Sequence, residues 1–192
     1  MDIKDVIIKR SSCRKYLEKA VSDEIINDIV EAGRLAPCGG NNQSCHFIVI
    51  TNKDVLNKLI DLTTLAFSKM EIDDKMYKSK KTSINLSKKG PYHFFYDAPV
   101  LIIVANQKEY GNALVDSACA LENMMLVTTS NNLGSCYINQ LHWLNDDINI
   151  REYLESLGLS SNGDICGSLA IGYPALELKQ KKITGNPVTF VK

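Results

Sequence analysis

The 192-residue chain lacks the features that identify several function classes at first reading. Its 22 basic and 22 acidic side chains cancel, so no excess of positive charge favours nucleic-acid binding. No apolar run approaches the roughly 20 residues that span a bilayer. Six cysteines occur without a C-x-x-C pair and with only three histidines, which argues against a zinc site and is typical of reduced cytosolic thiols. We therefore predict a cytoplasmic protein with no membrane, nucleic-acid or metal partner.

Familiar catalytic motifs are missing as well. The chain contains no G-x-G-x-x-G after a strand, no G-K-[ST] loop, no G-x-S-x-G elbow and no H-E-x-x-H. Its three histidines are scattered along the chain, so they suggest no ligand set. We therefore expect that the chemistry is supplied by a bound cofactor and that no side chain is itself catalytic.

The apolar pattern predicts a one-domain α+β fold over residues 1–192. The N-terminal stretch "MDIKDVIIKR" has acidic residues and no long apolar core, which predicts an amphipathic helix and not a signal peptide. A continuous apolar run at 98–107 is typical of a strand in the centre of a sheet. The predicted helices follow Ser22, cover residues 53–67, 112–134 and 146–158, and alternate with further strands at 46–50 and 165–174.

Two segments have no single predicted structure. Residues 68–92 are rich in lysine, aspartate and serine, and their pattern suits a peripheral helix and a mobile lid equally well. The end of the chain, "PVTFVK", is typical of a short terminal strand, which needs an edge to pair with, in this chain or in another.

The stretch "RLAPCGGNNQSCHF" is longer and richer in amides than a plain connection requires. Gly39 and Gly40 would permit close approach of the backbone to a ligand, and the amides of Asn41, Asn42 and Gln43 would suit the edge of a planar ring. The alternative is an elaborate Asn/Gly turn. A nucleophilic role for the cysteine after the proline is disfavoured, because no histidine lies at a telling spacing.

The stretch "KRSSCRKY" places two guanidiniums and two hydroxyls within five residues, a donor set that can bind a phosphate. The alternative is a solvated helix end with surface arginines. The C-terminal cluster "LKQKKI" either adds cations to the same site or is a basic surface strand.

The order of these motifs is more specific than any one of them. The set R-S-S-x-R, then "APCGGNNQ", then "LGSCYIN" and finally "AIGYP" followed by lysines resembles the nitroreductase family of FMN-dependent oxidoreductases over essentially the whole chain. The resemblance implies a central, mostly antiparallel or mixed sheet flanked by helices. It further implies an intertwined homodimer with FMN at the subunit interface, and a C-terminal segment, 179–192, that wraps the partner.

The resemblance also implies roles for individual residues. The flavin phosphate and ribityl chain would be held by Arg10, Ser11, Ser12 and Arg14, with help from Lys181 and Lys182. The isoalloxazine ring of the other subunit's flavin would lie against Pro37, Cys38 and Gly39, with Asn41 bonded to the ring edge. The segment near flavin nitrogen 5 would consist of Tyr137, Ile138, Asn139 and Gln140.

The chain departs from the family pattern in the loop and near its C-terminus. Cys38 stands where serine is usual, Ser44-Cys45 stands where Pro-Trp is usual, and lysine replaces arginine near the C-terminus, which gives a point charge without a bidentate fork. These departures predict altered packing behind the flavin.

The implied activity is a ping-pong reaction in which NADH or NADPH reduces the flavin and an electron acceptor then reoxidises it. Acceptors in the family include nitroaromatics, quinones, enones and free flavins, and residues 67–96 and 141–144 would select among them. Two alternatives keep the scaffold without turnover. One is a non-catalytic dimeric flavin-binding or redox-sensing protein that uses the Cys38 thiol, and the other is a flavin-free interaction protein.

Overall fold

The computed structural model describes residues 2–180 and 183–192, and these contain six α-helices around a four-stranded sheet. Three helices begin at side-chain caps: the predicted Ser22, and Asn52 and Asp147, each accept a backbone N–H from the first turn. The helices are α1 (Ile3–Lys9), α2 (Asp23–Arg34), α3 (Lys53–Ser68), α4 (Lys78–Ser87), α5 (Ala113–Ser130) and α6 (Ile148–Ser156). The strands are β1 (His46–Ile50), β2 (Val100–Gln107), β3 (Gly134–Ile138) and β4 (Gly163–Gly172).

The sheet has the order β1-β2-β4-β3, and every pairing between neighbouring strands is antiparallel. β2 lies in the interior of this order, with all of its residues except Gln107 buried, as its continuous apolar run predicts. Side chains from α3, α4 and α6 form one core cluster on the sheet, and those from α2 and α5 form a second. The arrangement confirms the predicted α+β fold with an antiparallel sheet flanked by helices.

α5 is apolar around most of its circumference, and the structure accounts for one side of it. Leu121 and Met124 are buried in the second core cluster with β2 and β4. Leu114 and Val115, in the first turn, are 55% and 62% exposed. The helix therefore packs on the sheet and also presents apolar side chains outward.

Residues 68–92 contain α4, which is held to the core by the fully buried Ile84. A mobile-lid role for this segment stays a prediction. No helix among the described residues combines the length and hydropathy that a membrane crossing requires.

The C-terminal tail forms no strand within residues 175–180 and 183–192, so the predicted terminal strand is not formed in the single chain. Its apolar side chains are exposed, with Val188 at 74%, Phe190 at 82% and Val191 at 95%. Lys181 and Lys182, predicted to assist phosphate binding, lie outside the described residues.

Candidate functional site

The N-terminal segment Arg10–Tyr16 follows α1 and runs along the outer side of β3. Ser12 forms a parallel bridge with Ser135, and the Cys13 N–H donates to the Ser135 carbonyl at 2.8 Å. At the end of the segment, the Tyr16 hydroxyl lies 2.9 Å from the Cys13 carbonyl oxygen and 3.3 Å from that of Ala170. The backbone is thus fixed to the sheet, while the polar side chains on it are left to make other contacts.

Among the described residues, the two arginines of this segment have only weak partners. The nearest carboxylate oxygen to the Arg10 Nε is 3.8 Å away, on Glu122 of α5, and the arginine side chain is 21% exposed. The Arg14 guanidinium lies over the Tyr96 ring, 5.9 Å from its centroid. Both guanidiniums therefore retain donors for an anion.

The loop between α2 and β1 is anchored to the first turn of α5. The Gly39 N–H points at both carboxylate oxygens of Asp116, at 3.1 and 3.2 Å. The Tyr110 hydroxyl lies 3.0 Å from an oxygen of the same carboxylate and 3.3 Å from the Gly39 carbonyl oxygen. Because Asp116 is buried, these hydrogen bonds are shielded from competing water. They fix the middle of the loop.

The two adjacent glycines of the loop have different tasks. A Cβ on Gly39 would lie 2.4 Å from the Asn112 amide nitrogen and 2.7 Å from the Tyr110 hydroxyl, so this position permits close packing against the protein itself. Gly40 has a φ of +59° and nothing within 4 Å of its would-be Cβ. Glycine at position 40 therefore serves the left-handed turn, and its close approach to a ligand stays a prediction.

The amide side chains of the loop are exposed and partly bonded to one another. Gln43 donates from Nε2 to the Asn41 Oδ1 at 3.1 Å, and its backbone N–H points at the Cys38 sulfur at 3.3 Å. Asn41 and Gln43 both have positive φ, at 56° and 49°, which asparagine tolerates better than most residues. The hydrogen bond between Gln43 and Asn41 uses only the Asn41 side-chain oxygen and not its NH2 group.

The segment Tyr137–Gln140 begins with the last two residues of β3 and leads to a single 3-10 turn at His142–Leu144. Tyr137 is 39% exposed, whereas Ile138 is buried. The Asn139 carbonyl accepts the Trp143 N–H at 3.0 Å. Gln140 is 8% exposed, and its amide donates to the Tyr92 hydroxyl at 2.8 Å.

Three of the six thiols, those of Cys13, Cys136 and Cys166, are buried, and the other three are half-buried. Burial raises the pKa of the thiols of Cys13, Cys45, Cys136 and Cys166 above the ordinary value. A thiol with a raised pKa is a poor nucleophile at neutral pH. Among residues 2–180 and 183–192, which include all six cysteines, there is no disulfide and no cluster suited to a metal ion.

The predicted site residues fall into two groups at different edges of the sheet. Segment Arg10–Tyr16 bonds to β3, the strand at one edge of the sheet, and Tyr137 and Ile138 end that strand, while the loop leads into β1, at the other edge. Three inter-strand steps separate these edges, a distance of about 14 Å. The contacts with α5 also separate the two groups. Arg10 lies near Glu122 and Gly39 bonds to Asp116, and these two α5 residues are about 9 Å apart along the helix axis and on different sides of it.

Three residues of the site were not singled out from the sequence: Tyr92, Tyr110 and Asp116. Asp116 had one signal, since it is one of two carboxylates in a mostly apolar helix. The two tyrosines had none, because their partners depend on tertiary structure.

Known proteins match the chain along most of its length. The sequence model of the nitroreductase family matches residues 7–173. A nitroreductase from Bacteroides fragilis, solved with bound FMN, is 35% identical with a TM-score of 0.90 over 100% of both chains. A nitroreductase from Desulfitobacterium hafniense, also solved with FMN, is 25% identical with a TM-score of 0.84, again over 100% of both. A candidate NADH dehydrogenase/NAD(P)H nitroreductase from Archaeoglobus fulgidus is 25% identical over 173 residues, covering 88% of this chain and 83% of that one.

Proposed function

The chain belongs to the nitroreductase family of NAD(P)H-dependent flavin oxidoreductases, and we propose that it binds FMN and reduces nitroaromatic, quinone or similar electron-poor small molecules. The observation that carries the proposal is the segment Arg10–Arg14. It is bonded through its backbone to β3 and holds two guanidiniums without close carboxylate partners. Family membership confirms the resemblance that the order of the motifs suggested.

The residues present fit FMN by the chemistry of their donors. Guanidinium and hydroxyl groups match a phosphate and a ribityl chain, and the exposed amides of the loop match the edge of a flavin ring. Five buried hydroxyls lack a protein partner among the described residues, and two of them lie near the predicted site: Ser135, beside the N-terminal segment, and Ser44, at the end of the loop. An orphaned buried hydroxyl is costly unless water or a ligand completes it.

Bound FMN would accept hydride from NADH or NADPH and pass it to the acceptor, with the two substrates bound in turn. The chain's own part is binding, orientation and exclusion of water. We assign the phosphate and ribityl contacts to Arg10, Ser11, Ser12, Arg14, Lys181 and Lys182. The ring contacts are assigned to Pro37, Cys38, Gly39, Asn41 and the segment Tyr137, Ile138, Asn139 and Gln140. No side chain is assigned as a catalytic acid or base.

We further propose that the working form is a homodimer in which the loop of one subunit completes the flavin site of the other. The separation of the two residue groups at opposite sheet edges supports this, since one flavin touched by both groups is simplest to build from two chains. The exposed Leu114, Val115 and C-terminal tail supply apolar surface for such an assembly. Segment 179–192 would lie on the partner.

The test of the activity is an anaerobic absorbance spectrum of the purified protein, recorded before and after addition of NADH or NADPH. We expect flavin bands near about 450 nm that bleach on reduction and return when a nitroaromatic or a quinone is added. A yellow protein that neither nucleotide bleaches would favour the non-catalytic flavin-binding alternative. A protein that stays colourless after incubation with FMN would refute the proposal.

The test of the composite site is complementation between subunits. Arg10→Ala and Gly39→Arg variants each damage a different residue group, and each alone should bind little FMN. Unfolded together and refolded as a mixture, they should regain up to about a quarter of the wild-type flavin content, because half of the dimers are mixed and each mixed dimer has one intact site. No recovery, in a mixture shown to contain mixed dimers, would contradict the shared site.

A further inference from the structure

We propose that Tyr92 is a positioning residue: its hydroxyl holds Gln140 and thereby orients the segment after β3 that faces the flavin. This inference rests on the proposed function, because it concerns the same FMN site. Tyr92 lies between α4 and β2, and 48 positions separate it from its partner. The contact joins the layer formed by α3 and α4 to the edge of the sheet where the phosphate-binding segment lies.

The hydrogen bonds around Tyr92 form a chain with one direction. Ser83 has a single hydroxyl proton, which it donates to the Ser79 carbonyl at 3.0 Å. In the 3.0 Å contact between the two hydroxyls, Tyr92 must therefore be the donor and Ser83 the acceptor. The Tyr92 oxygen is then free to accept the Gln140 amide N–H at 2.8 Å. Each hydroxyl proton is donated to one defined acceptor, so this series of hydrogen bonds holds the Gln140 amide in one orientation.

Tyr92 is itself fixed from three sides. Its backbone N–H donates to the Thr64 hydroxyl on α3 at 2.8 Å. Its ring packs edge-on against the fully buried Phe67, with 6.2 Å between the ring centroids. Its carbonyl accepts the Phe94 N–H at 2.8 Å. A side chain held in this way can transmit a fixed position to the residue that it contacts.

The same contacts define what Gln140 can do. Its amide is buried and committed to Tyr92, so its side chain acts within the protein, and its contribution to the flavin site comes through the placement of its backbone. Burial raises the pKa of the Tyr92 hydroxyl, which keeps the group protonated at neutral and mildly alkaline pH and preserves the chain of bonds.

The test uses the conservative variant Tyr92→Phe, which keeps the ring against Phe67 and removes only the hydroxyl. The buried Gln140 amide then loses its acceptor and must shift or remain unpaired. We expect the Kd for FMN to rise roughly 5- to 30-fold. We also expect the visible circular dichroism of bound FMN to change, since this signal reports the geometry around the flavin and not the stability of the fold.

Gln140→Leu is the second variant, because it removes the other partner while keeping a similar volume. It should change the FMN Kd and the visible circular dichroism in the same direction as Tyr92→Phe. The double variant should bind FMN no more weakly than the weaker single variant, since neither group is then left unpaired. Tyr153→Phe is the matched control, because Tyr153 packs against the same core cluster from α6, away from this chain of bonds.

The outcomes separate this inference from the function on which it rests. If Tyr92→Phe lowers thermal stability but leaves the FMN Kd and the visible circular dichroism equal to those of Tyr153→Phe, the hydroxyl is merely structural and the inference is wrong. Strictly additive effects of the two substitutions would also contradict it. A wild-type protein that binds no FMN would overturn the proposed function and this inference together.

Discussion

The segment Arg10–Tyr16 and the loop Pro37–Gln43 are held in place by opposite means. In the first, backbone groups bond to β3, and the arginine side chains have only weak partners among the described residues. In the second, the loop backbone at Gly39 bonds to two side chains. These are the buried Asp116 carboxylate of α5 and the hydroxyl of Tyr110, just before α5. In the first region the backbone is fixed to the sheet and the side chains are available for a ligand. In the second region buried side chains fix the backbone of the loop.

The difference indicates how each region should respond to substitution. The arginine side chains in the first region can change without breaking the backbone hydrogen bonds that place them, so their loss should reduce binding and leave stability nearly intact. Side chains that anchor the second region also satisfy buried groups, so their loss should reduce stability and displace the loop. The following substitutions test this contrast, from the largest expected effect to the smallest.

Asp116→Ala removes the anchor of the loop and leaves the Gly39 N–H and the Tyr110 hydroxyl without their acceptor. We expect the free energy of unfolding to fall by about 2–4 kcal/mol, measured by urea denaturation of the FMN-free protein. Asp54→Ala is the matched control, since Asp54 is also an acid in a helix first turn but is exposed. Equal losses in the two variants would break the contrast.

Arg10→Ala removes a guanidinium from the sheet-bonded segment. We expect FMN affinity to fall by roughly 10- to 100-fold, from the loss of a charge-assisted contact, while the unfolding free energy of the FMN-free protein changes by less than about 0.5 kcal/mol. Arg34→Ala, at an exposed arginine that also pairs with a glutamate, controls for loss of charge. A large loss of stability in the FMN-free Arg10→Ala protein would show that the arginine is structural.

Gly39→Ala adds a methyl group where the loop packs against Asn112 and Tyr110. We expect a loss of about 1–2 kcal/mol in unfolding free energy, because either the Asn112 side chain or the loop must move. Gly111→Ala is the control, since nothing lies within 4 Å of its would-be Cβ. If both variants were equally stable, the loop would be less constrained than the contacts with Asp116 indicate.

Tyr16→Phe tests the one side-chain anchor of the first region through pH. Burial raises the pKa of Tyr16 above its ordinary value of 10.0, so its stabilising contribution is complete below pH 10 and is lost as the pH rises further. Between pH 10 and 11, the free energy of unfolding of the variant should fall by up to about 1 kcal/mol less than that of the wild type. Tyr77→Phe, at a tyrosine that is 69% exposed, should follow the wild type.

The sequence predicts most elements of this fold, though not β3, because those elements depend mainly on local signals. The β2 run is apolar throughout, and the Ser22 cap with its acidic first turn begins α2 where expected. The segment around α4 gave no such signal, since lysines and serines cover most of it, and its position depends on the buried Ile84. Whether the tail forms a strand depends on a pairing edge that the local sequence does not contain.

The site was predictable only in part for the same reason. The motifs that would contact a ligand directly are contiguous and can be recognised by their residue types and order. The residues that hold them in place, Asp116 and Tyr92, are distant in sequence from what they support. A contact across 77 or 48 positions leaves no periodicity, so it becomes visible only in the folded chain.

The exposed tail has a consequence for how the protein behaves on dilution. Ile183, Val188, Phe190 and Val191 are all at least 74% exposed in the single chain, which is unfavourable for apolar side chains in water. If a second copy covers them, folding and association share one equilibrium, and the melting temperature rises with protein concentration by mass action. The measured stability would then depend on the protein concentration as well as on the contacts within one chain.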